Sequence, residues 1–285
     1  MHRLCIKRYR NTLIPLREAW YSKTSSTFGN DEKTRNLVYK DALEMLRSHF
    51  EFAVRDSVPR KNAELYEAVK HFDDLCYHVG PKRLVYTSDI LMISYKSLEQ
   101  PKNLTVDNLR RAAMLSWAFE NATTGFFLAD DITDSNTVRW NMPCWHTLPH
   151  IGLRALVDLR LLTMGSSQII RKHLKDLPTY IHLQTLFNQF LYVTFLGQSS
   201  DLYSSSLFKN YRDDSSLSMS HYRALTKMKV GFPLYVAPPL AAIYLANLDP
   251  EIYTRSKHIF DNLAIHRQAQ VSILVRTFYT RVLVL

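Results

Sequence analysis

From Thr105 to Asp134 the chain reads TVDNLRRAAMLSWAFENATTGFFLADDITD, and this stretch decides the fold. Thr105 is placed to cap a helix, Asp107 suits its positive end, and Val106, Leu109, Ala113, Ala118 and Ala122 give it one smooth face. The helix carries Asp130, Asp131 and Asp134 to its C-terminal end. Acidic side chains there oppose the macrodipole, and a purely structural design would place lysine instead, so a positive group is expected to compensate them. Asp130 and Asp134 stand four residues apart on one helical face, where their carboxylates can share metal ions. Magnesium takes oxygen ligands in octahedral geometry and keeps several waters. It is commonly held by one or two carboxylates together with substrate phosphate oxygens. Acidic helix ends are common and mostly just solvated, so the aspartates need support from the rest of the chain.

Outward from this helix the pattern stays helical. Further helices are expected at about 37–56, 62–74 and 85–97, separated by Pro59, Gly80-Pro81 and Pro101. Others are expected at 151–163, 166–174, 178–200 and 220–247, and a last one starts at Asp249-Pro250-Glu251, where Asp249 caps and Pro250 fills the first turn. Only 7 glycines are present, so tight β-hairpins and glycine-rich phosphate loops have little raw material. The fold class is therefore all-α, and 46% hydrophobic residues supply a sizeable core and argue against disorder.

Cys5, Cys76 and Cys144 are widely spaced and odd in number, which argues against a disulfide framework and against zinc-ligand pairs. The longest apolar stretch, Phe232 to Leu248, contains Pro233, Pro238 and Pro239 and is shorter than the ~20 residues of a membrane span; it reads as a buried, proline-interrupted helix. No stable membrane insertion is expected. Half of the formal charge of +10 sits in the first 27 residues, where Arg3, Lys7, Arg8, Arg10, Arg17 and Lys23 face only Glu18. A basic, acid-poor start of this kind reads equally as a mitochondrial transit peptide or as a solvated, frayed terminus, so the location is cytoplasmic or mitochondrial. Residues 1–32 are read as leader and linker, and 33–285 as the helical domain. No nucleic-acid module or basic cluster with interleaved aromatics is present, and nucleic acid is not an expected partner.

The sequence around the aspartates resembles one family in particular. After Asp134 come Ser135, Arg139, Pro143, Cys144 and Trp145, and before Phe126-Phe127-Leu128-Ala129-Asp130-Asp131 stands Leu115-Ser116-Trp117-Ala118-Phe119-Glu120. Both segments are similar to the first aspartate-rich motif and its helix in farnesyl diphosphate synthases, of an insect type. Leu186-Phe187-Asn188, Thr194, Gly197-Gln198 and Asp201-Leu202 look like the family's middle helix, and Tyr222 and Lys229 match its Tyr-to-Lys segment. The similarity runs from about Val38 to the C-terminus. It implies an isoprenoid-synthase bundle around a central apolar cavity, a homodimer, and a prenyl diphosphate substrate bound with Mg2+. Asp130, Asp131, Asp134 and Asp201 become the expected metal ligands; Lys229, Arg139 and Gln198 become the catalytic residues, binding substrate with Gln268 and Lys82. Gly125 and Phe126 occupy positions that set the depth of the tail pocket, where glycine is expected to leave room for a C15 chain.

The departures fall on one side. The family's cradle for isopentenyl diphosphate is matched by Gly80-Pro81-Lys82-Arg83-Leu84-Val85, with valine at the arginine position. Trp140 replaces the second arginine of a pair, and Thr123 replaces a glutamine. The second aspartate-rich motif is replaced by Gln268-Ala269-Gln270-Val271-Ser272-Ile273-Leu274-Val275, and the family's last helices are missing. This asymmetry implies a terpene synthase that ionises farnesyl or geranyl diphosphate. The alternatives are a prenyltransferase, that is a farnesyl diphosphate synthase, or an inactive partner of one. His146 and His150 lack a third metal ligand, and Trp117 and Trp145 read as core.

Overall fold

The computed structural model describes residues 66–79, 87–211 and 218–282, which all belong to one compact unit. The leader, the helix expected at 37–56, and Lys82 with its neighbours lie outside the described residues. The described part is mostly helical: α1 (Tyr66–Val79), α2 (Thr87–Leu98), α3 (Val106–Thr133), α4 (Ala155–Leu174), α5 (Tyr180–Tyr211), α6 (Met219–Thr226), a π-helix (Lys227–Val236), α7 (Ala237–Leu245) and α8 (Glu251–Val282). A two-stranded hairpin, β1 (Val138–Arg139) and β2 (Met142–Pro143), lies between α3 and α4.

Helix α3 is the axis of the bundle, packed chiefly on α4 and also on α2, α5 and α7. Every residue from Ala112 to Phe126 is buried, so α3 is enclosed all round rather than along one smooth face. Val106, expected on that face, is 82% exposed at the open end of the helix. Phe119 packs on Phe187 and Phe190, and Phe126 on Phe190 and Phe195. These aromatic contacts bind α3 to α5. Trp117 and Trp145 are both buried, as core residues should be.

The two helices expected at 151–163 and 166–174 are a single helix, α4. Gly165 and Ser166 do not break it, because both are buried and the Ser166 hydroxyl donates to Leu162 O at 2.7 Å. Gly125 of α3 lies against this helix: a Cβ there would meet Thr163 Cγ2 at 3.1 Å and Leu159 O at 3.2 Å. The missing side chain therefore allows a close helix crossing. It does not open room for a substrate tail, as the sequence suggested, because α4 already fills that space.

From Met219 to Leu245 the chain is helical without a break, but its middle is wound as a π-helix. Pro233 has no N–H to give the carbonyl four residues back, that of Lys229, and the wider register accommodates this. At the end of the segment Ala237 N–H donates five residues back, to Phe232 O. Pro238 and Pro239 then follow in the first turn of α7, and like Pro233 they give no amide to the turn before. This run is long and apolar enough to cross a membrane by length and composition, but half of its most apolar window is buried. It packs on α2, α5 and α8.

Candidate active site

The C-terminus of α3 is finished by a Schellman motif. Ser135 takes φ 55°, its N–H donates to Ile132 O at 3.3 Å, and Asn136 N–H donates to Asp131 O at 2.9 Å. The chain reverses there into the β-hairpin, whose register pairs Arg139 with Met142. The two-residue loop holds Trp140 at φ 51° and Asn141 at φ 63°, the pattern of a type I′ turn. Asparagine suits that turn, whereas a bulky residue with positive φ costs about 1–2 kcal/mol.

The hairpin returns Arg139 to the end of α3. Its Nε donates to Asp131 Oδ1 at 2.6 Å and its Nη2 to Asp130 Oδ2 at 2.7 Å, so one guanidinium spans two consecutive carboxylates. From the π-helix, Lys229 Nζ reaches Asp130 Oδ1 at 3.4 Å and Asp201 Oδ2 of α5 at 2.6 Å. The result is a continuous chain of charge, Asp131, Arg139, Asp130, Lys229 and Asp201, that ties four segments together: α3, the hairpin, the π-helix and α5. These are the positive groups that acidic residues at a helix C-terminus require.

Burial works against the charge on both cations, and the carboxylates outweigh it. Asp131 and then Asp130 hold the Arg139 guanidinium more firmly protonated than usual. The hydrogen bond that Lys229 donates to Asp201, and the charge of Asp130, do the same for Lys229. Gly197 makes the close approach of α5 and the π-helix feasible. A Cβ at Gly197 would lie 2.8 Å from the backbone nitrogen of Lys229 and 2.9 Å from Met228 Cβ. One turn before Asp201, the buried Gln198 has its Nε2 donor without a hydrogen-bond partner.

Not every residue expected in the site joins this chain in the same way. Asp131 is 3% exposed and its Oδ1 accepts from both Arg139 Nε and Asn136 Nδ2. It is therefore an anchor for the arginine rather than an open metal ligand. Asp134 is the exposed C-cap of α3, its backbone N–H bonded to Asp130 O. Gln268 is half-buried on α8, and among the described residues no hydrogen bond links it to Asp130, Asp201 or Lys229. Among the described residues no three His, Cys, Asp or Glu side chains gather as a metal-binding group. Asp130 and Asp201 do approach a common point, the Lys229 ammonium, and both are hard oxygen donors that suit magnesium. The buried Gln198 Nε2 is a donor of the kind a phosphate oxygen could accept from. With one unsatisfied donor and two carboxylates from facing helices, the residues fit a metal and diphosphate together.

Two substitutions noted in the sequence also have structural outcomes. Thr123 is buried, and its hydroxyl donates to Phe119 O at 2.9 Å while accepting from Thr87 Oγ1 at 2.9 Å. It has no proton left for an anion. Trp140 stands edge-on to Phe127 with ring centroids 5.4 Å apart. Sequence reasoning missed a further network that joins the segment after the hairpin to α4 and α1: Trp145 Nε1 donates to Asp158 Oδ2 at 2.8 Å, and His71 Nε2 lies 2.9 Å from Asp158 Oδ1. An acidic residue in the otherwise apolar first turn of α4 was the available signal.

The polyprenyl synthetase family model matches residues 82–271. The chain belongs to the polyprenyl synthetase family. Its match to the farnesyl pyrophosphate synthase of Murgantia histrionica is 34% identical over 181 residues, covering 63% of this chain and 44% of that protein. Farnesyl pyrophosphate synthase 2 of Arabidopsis thaliana is 30% identical over 177 residues, 62% of this chain and 51% of that protein. The Gallus gallus farnesyl pyrophosphate synthase is 29% identical over 208 residues, 73% and 56% of the two chains. The chain thus spans about half the length of each of these relatives.

Proposed function

We propose that this polyprenyl synthetase family member is an enzyme of isoprenoid biosynthesis that binds an allylic prenyl diphosphate with Mg2+. Its first-ranked reaction is prenyl transfer of the farnesyl diphosphate synthase type. The observation that carries the reading is the charge chain from Asp131 to Asp201. It contains three carboxylates and two cations, a net charge of −1. A diphosphate approaching such a surface is repelled unless divalent cations accompany it, which is why the site asks for metal as well as for Arg139 and Lys229. Asp130 and Asp201, with Asp134 beside them, are the proposed holders. Bound magnesium would neutralise the departing diphosphate. Arg139 and Lys229 would orient the same anion by charge-assisted hydrogen bonds, and the buried Gln198 amide would add a neutral one.

The relatives favour prenyl transfer over the terpene-synthase reading that the sequence put first. That reading keeps one specific support, the closed state of the second anion position: the Thr123 hydroxyl is fully used and Trp140 is aromatic. The deciding experiment incubates the full chain with magnesium and geranyl or farnesyl diphosphate, with and without isopentenyl diphosphate. A lengthened chain is the expected product. Release of a terpene from the allylic substrate alone would select the second reading. Absence of turnover, with Asp130→Ala binding a prenyl diphosphate analogue as tightly as the wild type, would overturn the site.

The proposal includes a homodimer. Val157, Leu161 and Met164 on α4 and Tyr192, Leu196 and Tyr203 on α5 are exposed at helical spacing, and α4 packs on α5. A second copy covering this stripe would remove it from water. Sedimentation equilibrium should give a dimer that Met164→Glu dissociates, and a wild-type monomer would exclude it.

A further inference from the structure

The Trp140 backbone is held where tryptophan is disfavoured, at φ 51° in the tip of the hairpin, while its neighbour Asn141 is a residue that such a turn prefers. A strained residue persists when its surroundings over-determine it, and here the surroundings are Arg139 and Phe127. The Arg139 guanidinium carbon lies 5.0 Å from the centroid of Phe127 and 5.8 Å from that of Trp140. The two rings meet edge to face, 89° apart, so the cation has an aromatic wall on two sides. Its Nε and one Nη2 proton are directed at Asp131 and Asp130.

A guanidinium has five N–H donors, of which this geometry commits two. Rotation about the last bonds of the side chain would exchange the committed donors for the remaining ones. The carboxylates alone do not prevent it, since both are acceptors on the same helix end. Rings against the guanidinium do, because turning the plane would lose the cation–π contact.

We propose that Trp140 is a positioning residue for Arg139: with Phe127 it forms an aromatic clamp that fixes the guanidinium plane, leaving the uncommitted donors aimed in one direction. An arginine at position 140 would add charge at the tip, whereas tryptophan spends the position on orienting the charge already present. The use of those donors on a diphosphate rests on the proposed function; the clamp itself does not.

The two are separated by measuring them independently in the full chain. Arginine Nε–H signals are recorded by nitrogen-edited NMR on the free protein, with Arg139→Lys identifying the Arg139 signal by its disappearance. The wild type should show a slowly exchanging Arg139 Nε–H. Trp140→Gly, which relieves the turn and removes the ring, should speed its exchange by roughly 10-fold, within the range a cation–π contact supports. Trp140→Phe, which keeps a ring, should stay within about threefold of wild type on the same scale. Circular dichroism confirms that both variants fold. Unchanged exchange in Trp140→Gly, or equal loss in both variants, overturns the clamp. Calorimetry with magnesium and inorganic diphosphate is then run on the same proteins. Weaker binding by Trp140→Gly but not by Trp140→Phe is expected. If the exchange differs as stated while the wild type binds no diphosphate, the clamp stands and the proposed function fails.

Discussion

Lys229 Nζ lies 2.6 Å from Asp201 Oδ2, joining the π-helix to α5 across 28 residues of chain. Removing the cation by Lys229→Met leaves Asp130 and Asp201 facing each other with nothing between them. Because the Asp201 side chain is 36% exposed, solvent screens the pair, and the stability loss should be no more than about 1 kcal/mol. In urea unfolding, Lys229→Met and Asp201→Asn together should lose less than the sum of the single variants. Strict additivity would show that the contact does not contribute.

Gly197→Ala should be the costlier change at the same crossing. Its Cβ would meet backbone, Lys229 N at 2.8 Å, rather than a side chain that can swing aside. Overpacking of this kind costs about 1–3 kcal/mol, and the midpoint of thermal unfolding should fall accordingly. Gly152→Ala, with open space around it and φ 52°, should cost about 1–2 kcal/mol from backbone strain alone. An equal effect at both glycines would contradict the close approach.

Just past the hairpin, Trp145 is held by Asp158, which is 3% exposed. Asp158→Ala strips Trp145 Nε1 of its acceptor, and a buried donor left unsatisfied costs about 1–3 kcal/mol. Asp158→Asn, which keeps an acceptor of the same shape, should cost less. Chemical denaturation followed by tryptophan fluorescence distinguishes the two, and identical midpoints would rule out the hydrogen bond as the cause.

How much of this was legible in the residues depended on whether the signal was local. The long helix ending in aspartates, the start at Asp249-Pro250 and the need for a compensating cation follow from caps, periodicity and the macrodipole, and all are present. The helices expected at 151–163 and 166–174 were misread as two because Gly165, between them, is buried within a helix that continues through it. Gly125 was misread as space because a sequence cannot show which backbone fills the gap. Asp131 and Asp134, identical to Asp130 as letters, were told apart only by the Schellman turn, which buries the first under Arg139 and leaves the second on the surface.

Cys144 offers a pH test. Burial, then the negative charge and hydrogen bond of Asp131, push its thiol up to about 12. The folded state therefore keeps the proton that an unfolded thiol loses near its ordinary pKa of about 8.5. Stability from this group is present below that value and is lost as pH rises towards the folded value. Native protein at pH 8 should resist iodoacetamide at Cys144, seen by peptide mass mapping, and Cys144→Ala should flatten the alkaline fall in stability. Rapid alkylation of the folded chain at pH 8 would refute the assignment.

The π-helix makes the site sensitive to chain length in a way that substitutions are not. A π turn carries one residue more than an α turn, so Lys227–Val236 accommodates a surplus that an ordinary helix would reject. Deleting Pro233 would let the segment rewind into α-helix with a complete ladder of hydrogen bonds and its apolar surface largely preserved. The lysine, however, would be rotated out of phase with Asp130 and Asp201. A family of such chains can thus gain or lose its charged crossing through a single in-frame insertion or deletion, while every other helix of the bundle stays in register.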